Sequence, residues 1–98
     1  MEMDKEIYLC SLYDYYGVLL TDKQKEYFED YYFNNLSLSE IAENNETSRN
    51  AIHKQIKETE NKLLAFEDKL KLCQKYEEIK EVIKDLPSDI KEQIEELL

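Results

Sequence analysis

Ninety-eight residues suit one domain, and a chain of this size buries roughly 60–65% of the surface that its unfolded form exposes. A single Gly, a single Pro and 37% charged residues argue for an all-helical chain with few tight turns. No apolar run approaches the roughly 20 residues needed to span a bilayer, the acidic start MEMDKEIY is not that of a secretory leader, and a net charge of −10 speaks against generic nucleic-acid binding.

The first predicted helix covers residues 4–16, DKEIYLCSLYDYY, with Ile7, Leu9, Cys10, Leu12, Tyr13 and Tyr16 on a broad apolar face. Gly17 is placed to end it as the C′ residue. Val18, Leu19 and Leu20 make a short apolar connector. Thr21 then caps a second helix, with Asp22 at its positive dipole end. Tyr27, Phe28, Tyr31 and Tyr32 give that helix an aromatic stripe, and Asn34-Asn35 ends it. The eight tyrosines are read as core rings with hydroxyls reaching the surface, not as a base-stacking platform.

Residues 36–57, LSLSEIAENNETSRNAIHKQIK, read as a helix-turn-helix. Ser37 and Glu40 form a capping box, and Ile41 and Ala42 turn inward on a short helix. Ser48 caps the next helix, whose inner face carries Ile52 and Ile56 at i, i+4. A glycine is common in the turn of such motifs, where Glu46 stands, and an apolar residue is common just before it, where Asn45 stands. Asn44 or Asn45 is the expected holder of a left-handed backbone, which displaces the turn by one residue.

Beyond Lys57, the residues Ile52, Ile56, Thr59, Leu63, Phe66, Leu70 and Cys73 are spaced 4, 3, 4, 3, 4, 3. That is a heptad seam on a helix from Ser48 to about Leu70, roughly 35 Å long. At Lys71–Gln74 two courses stay open, since no Gly or Pro marks a stop: the helix turns back or runs on. Tyr76, Ile79, Val82, Ile83 and Leu86 continue the apolar stripe to Pro87. A last helix then starts with that proline in its first turn and carries Ile90, Ile94, Leu97 and Leu98. Dimerisation, intrachain packing or a docking surface for another protein would cover this tail. The expected division is residues 1–72 as a helix-turn-helix domain and residues 73–98 as a C-terminal helical extension.

Charge is unevenly spread. Residues 1–47 carry −8 and residues 58–98 carry −5, whereas residues 48–57 hold Arg49, Lys54 and Lys57 and no acid. The second helix of the motif is therefore the only positive segment. Its outer face shows Arg49, Asn50, His53, Lys54 and Lys57, side chains that read bases and hold phosphates. With Ser48 at the helix start, these six residues are the candidate nucleic-acid-binding set.

Other chemistries lack their parts. A single His leaves His-based metal sites and His-containing triads incomplete. There is no glycine-rich phosphate loop and no C-x-x-C. The carboxylates read as lying on solvated helix faces, and Cys10 and Cys73, far apart at no metal spacing, read as reduced core thiols of a cytoplasmic protein. The expectation is a non-enzyme without cofactor or metal.

The run from Tyr13 to Leu72, with its DYYG element, LLTDKQKEYF helix and LSLSEIAE…SRNAI core in that order and spacing, resembles the YlxM family. These are small bacterial helix-turn-helix proteins similar to region 4 of sigma-70-type factors. The resemblance covers roughly residues 8–72. It implies an all-α, sigma-region-4-like core of three to four helices without a wing, with a long recognition helix and a helical tail. It also implies a DNA-binding regulatory protein of the signal recognition particle pathway. The alternative is an interaction module for the protein or RNA of that particle, without sequence-specific DNA binding. The expected partners are DNA, that particle and a second copy in a homodimer, with no membrane insertion.

Overall fold

The computed structural model describes residues 4–98. Among them are six helices and no strand: α1 (Lys5–Tyr16), α2 (Asp22–Tyr32), α3 (Leu38–Asn44), α4 (Arg49–Leu70), α5 (Leu72–Ile83) and α6 (Ser88–Glu96). The chain is an all-α helix-turn-helix protein, with α3 and α4 as the motif.

Local chemistry starts each helix where the sequence places it. Asp4 Oδ1 accepts from the Glu6 N–H at 2.8 Å and opens α1. Thr21 and Gln24 close a capping box on α2, and Ser37 and Glu40 close another on α3. Gly17 does not act as a left-handed C′ residue. Its φ of −54° continues a 3-10 turn, Gly17–Leu19, that tightens the end of α1. A Cβ there would stand 3.2 Å from the Tyr13 ring, so the bare Cα lets that ring pack closely without shifting. Pro87 stands one residue before the first turn of α6, as its N-cap.

Helix α4, 22 residues long, is the axis of the molecule, and α1, α2, α3 and α5 all pack on it. Two buried clusters lie along it. Leu9, Leu12, Tyr16, Leu20, Phe28, Leu63 and Cys73 form the first, and Ile41, Ala42, Ile52 and Ile56 form the second. The Tyr32 ring packs against both and joins them. Each such aliphatic or aromatic side chain removed from water contributes about 1.5–3 kcal/mol. No residue of α6 is buried.

Tyr16 is buried and Tyr8, Tyr13, Tyr15, Tyr27 and Tyr32 pack against the two clusters, as read from the sequence, whereas Tyr31 is exposed; three of the hydroxyls bond carboxylates. Tyr13 donates to Glu29 at 2.6 Å, Tyr16 donates to Glu67 at 2.5 Å, and Tyr32 donates to Glu60. Glu60 and Glu67 are buried, which corrects the reading of all carboxylates as solvated. Buried charge is tolerated here because each carboxylate is hydrogen-bonded on more than one side.

The heptad seam also ends earlier than its spacing suggests. Ile52, Ile56, Thr59 and Leu63 are buried, whereas Leu70 is 46% exposed and Cys73 lies on α5. Lys71 takes a left-handed φ of 55° and breaks the helix. Cys73 reaches the first cluster by that bend, in contact with the residues of α1, and not by continuing the seam.

Candidate nucleic-acid interface

The motif is built by three short-range devices. Ser37 Oγ accepts from the Glu40 N–H at 3.1 Å and Glu40 Oε1 accepts from the Ser37 N–H at 3.0 Å. The bond from the Ser37 backbone N–H, with help from its side chain, holds the Glu40 carboxyl below the usual carboxylate range. At the other end of α3 the Glu46 N–H reaches the Glu43 carbonyl and the Thr47 N–H reaches the Ala42 carbonyl at 3.0 Å. With Asn45 as C-cap this is the Schellman arrangement.

Its left-handed residue is Glu46, at φ 53°. The expectation that Asn44 or Asn45 holds that conformation is therefore corrected, and the turn is not displaced. Asn45 stays at φ −108° and donates its amide to the Ile41 carbonyl at 2.7 Å. A polar residue at the usual apolar position thus closes the helix end that an apolar side chain would only cover. The third device is Ser48, whose Oγ accepts from the Ala51 N–H at 3.1 Å and starts α4.

Ile41 and Ala42 of α3 meet Ile52 and Ile56 of α4 in the second cluster. Burial of these four sets the rotation of α4. Arg49, Asn50, His53, Lys54 and Lys57 are consequently exposed on its opposite face, with Ser48 at the head. Among the described residues, the side chains of Arg49, Asn50, His53 and Lys54 enter no hydrogen bond or ion pair. Lys57 differs: its amine lies 3.4 Å from Glu60 Oε1, on the carboxylate that Tyr32 also bonds.

The two flanks of this strip are unlike. On one side a hollow of about 290 Å³ is lined by Lys23, Tyr27, Thr47 and Gln55. Lys23 places its amine 3.3 Å from Glu26 Oε2, 3.4 Å from Asn45 Oδ1 and 5.8 Å from the Tyr27 ring centroid. On the other side a hollow of about 560 Å³ is bounded by Asp4, Glu6, Tyr31, His53, Lys57 and Glu60. The first flank adds the Lys23–Glu26 ion pair beside the strip, and the second adds Asp4, Glu6 and Glu60 with Lys5 among them. Sequence reasoning overlooked Lys23 because 22 residues separate it from Asn45. It overlooked Glu60 because a glutamate three residues after Lys57 looks like an ordinary surface pair.

Among the described residues, no three His, Cys, Asp or Glu side chains gather to hold a metal ion, and no helix is long and apolar enough to cross a membrane. What the face can do is meet an anion with the head of a helix, one guanidinium, one amine and two base-reading side chains.

A model of the UPF0122 family, described as "Putative helix-turn-helix protein, YlxM / p13 like", matches residues 3–98. The chain is 55% identical to a UPF0122 protein of Malacoplasma penetrans over 75 residues, which is 76% of this chain and 70% of that relative. A UPF0122 protein of Fusobacterium nucleatum is 43% identical over 99 residues, covering 100% of this chain and 96% of its own. The UPF0122 protein YlxM of Bacillus subtilis is 44% identical over 98 residues, 97% of this chain and 89% of its own.

Proposed function

Because the chain belongs to the YlxM / p13-like family of helix-turn-helix proteins, we propose that it is a cytoplasmic DNA-binding regulator that acts in the signal recognition particle pathway. The observation that carries the DNA reading is the acid-free outer face of the first turns of α4, Arg49 to Lys57, where Arg49, Asn50, His53 and Lys54 stand exposed on the second helix of the motif. In this reading Arg49, Asn50 and His53 reach base edges from the first turns of α4, and Lys54 and Lys57 face phosphates. The head of α4 at Ser48 directs its free N–H groups at another phosphate. Residues 1–72 carry this unit. Residues 73–98 hold a second copy, so that two recognition helices meet successive major grooves about 34 Å apart.

Fluorescence anisotropy with duplex DNA at low salt tests this. About 3–5 phosphate contacts per protomer contribute about −3 to −4 to the slope of log affinity on log salt, so a bound dimer is expected to show about twice that. Arg49→Ala is expected to lower affinity and relax sequence preference, by about 1–3 kcal/mol for a bidentate base contact. Absence of binding to any duplex, with Arg49→Ala and Lys54→Ala indistinguishable from the parent, would overturn it.

A second reading rests on a different observation. Val82, Ile90 and Leu97 are exposed on the acidic helices α5 and α6 and at their ends. This suits a basic protein partner of the particle. A pull-down that recovers the particle's protein component after nuclease treatment would favour that reading over DNA binding.

A further inference from the structure

We propose that the α4–α5 junction at Lys71 is a two-state hinge, held bent by the Glu67 carboxylate and the Tyr16 hydroxyl, whose other state is one continuous helix from Arg49 to Ile83.

Nothing local calls for a break there. The stretch Asp68 to Lys75, DKLKLCQK, contains no Gly or Pro and several strong helix formers. The bend nevertheless requires a lysine at φ 55° and ψ 31°, in the left-handed region that L-residues seldom adopt. It also leaves Leu70 and Leu72 on either side of the break, 46% and 44% exposed. In a continuous helix Leu70 and Cys73 would follow Leu63 and Phe66 at spacings of 4 and 3, as one apolar edge.

What holds the bend is tertiary. Interrupting the helix frees the first N–H groups of α5, and none of its own side chains caps them. Glu67, one turn before the break, takes two of them. Its Oε1 accepts from the Cys73 N–H at 3.1 Å and its Oε2 accepts from the Gln74 N–H at 3.0 Å. Tyr16, wholly buried on α1, supplies the rest. Its hydroxyl accepts from the Leu72 N–H at 3.0 Å and donates to Glu67 Oε1 at 2.5 Å. One carboxylate and one hydroxyl thus satisfy three amides that a straight helix would satisfy from its own backbone. Local preference and tertiary capture oppose each other at one residue, which is the arrangement of a switch. A helix that docks along Phe66, Leu70 and Cys73 would favour the straight form, and would carry α5 and α6 away from α1.

Solution NMR of the full chain reads the junction directly. In the parent, Lys71 shows the strong intraresidue Hα–N–H contact of a positive φ, and the Tyr16 ring lies near the Leu72 amide. Glu67→Ala is expected to abolish both and to give unbroken helical contacts from Lys69 to Lys75. Adding Lys71→Gly, which makes the left-handed conformation accessible without Cβ conflict, is expected to restore the break. Retention of positive φ at Lys71 in Glu67→Ala overturns the proposal, because packing alone would then hold the bend. If Glu67→Ala does not fold, Tyr16→Phe decides: it keeps the ring and removes only the hydroxyl. Its Lys71 signals are expected to shift toward helical values, and signals unchanged from the parent overturn the hinge.

Discussion

Glu46→Gly is the substitution that the motif's geometry argues for most directly. Glu46 sits at φ 53° in the Schellman turn between α3 and α4, and its side chain is exposed. Holding an L-residue in that region costs about 1–2 kcal/mol. Glycine removes this cost but adds about 0.5–1 kcal/mol of chain entropy lost on folding. The net expectation is a gain of about 0.5–1 kcal/mol, a rise in Tm of a few degrees for a domain of this size. The charge must be separated from the backbone. Glu46 lies just past the negative end of α3 and just before the positive end of α4, and the two dipole terms, about 0.3–1 kcal/mol each, oppose. Glu46→Gln should therefore leave stability within a few tenths of a kcal/mol of the parent. Urea denaturation of the parent, Glu46→Gln, Glu46→Ala and Glu46→Gly orders the four. If glycine is no more stable than alanine, the turn does not hold a left-handed residue at 46. The same series serves the functional proposal, since both Gln and Gly remove an acid beside the recognition strip and should tighten DNA binding alike.

Tyr32→Phe keeps the ring that joins the two clusters but removes the donor to buried Glu60; urea denaturation is expected to show a loss of about 1.5–3 kcal/mol, as for a bond to a charged group. Burial raises Tyr15 to about 12. Burial, reinforced by their glutamate partners, also raises Tyr13, Tyr16 and Tyr32. Because the folded values lie above the unfolded one, near 10, their contribution is fully present below about pH 10. It should fall as pH rises beyond that, by about 1.4 kcal/mol per pH unit for each tyrosine still protonated only in the fold. Denaturation at pH 9, 10 and 11 with parallel absorbance titration checks the sign, and a flat profile refutes it. Lys54→Ala should reduce the salt slope of DNA binding by about 1 per protomer, and Lys57→Ala by less, since Glu60 already offsets the Lys57 charge at 3.4 Å. Equal losses would contradict that ordering.

What could be read from the sequence was what depends on near neighbours. The Ser37–Glu40 box, the Thr21 and Ser48 caps and the rotation of α4 by Ile52 and Ile56 all follow from spacings of three or four residues, so they emerged without a structure. The exposure of Arg49, Asn50, His53 and Lys54 follows from the same rotation. What was missed depends on distant partners. The Glu67 carboxylate turns inward because Tyr16, 51 residues earlier in the chain, meets it, and no periodicity reports that pairing. The break at Lys71 follows from it. At Glu46 the preference of asparagine for left-handed backbone pointed one residue away, because Asn45 is taken up in closing the end of α3. Lys23 joins the strip's flank only once α2 has packed beside the turn.

These particulars converge on α4, which changes character along its length. Arg49 to Lys57 contains no acid and faces outward. From Glu58 onward the helix carries Glu58, Glu60, Glu67 and Asp68, and two of these are turned into the core as hydrogen-bond hubs. Lys57 stands at the boundary, its amine already drawn to Glu60. A phosphate backbone approaching the middle of α4 would meet exposed Glu58, and Asp4 and Glu6 on either side of Lys5 on the adjacent flank. In the proposed complex the first turns of α4 therefore enter the groove, helix head foremost. In that complex the acidic composition that seemed to argue against DNA would instead restrict the pose, favouring the approach that aligns Ser48, Arg49, Asn50 and His53 with the bases.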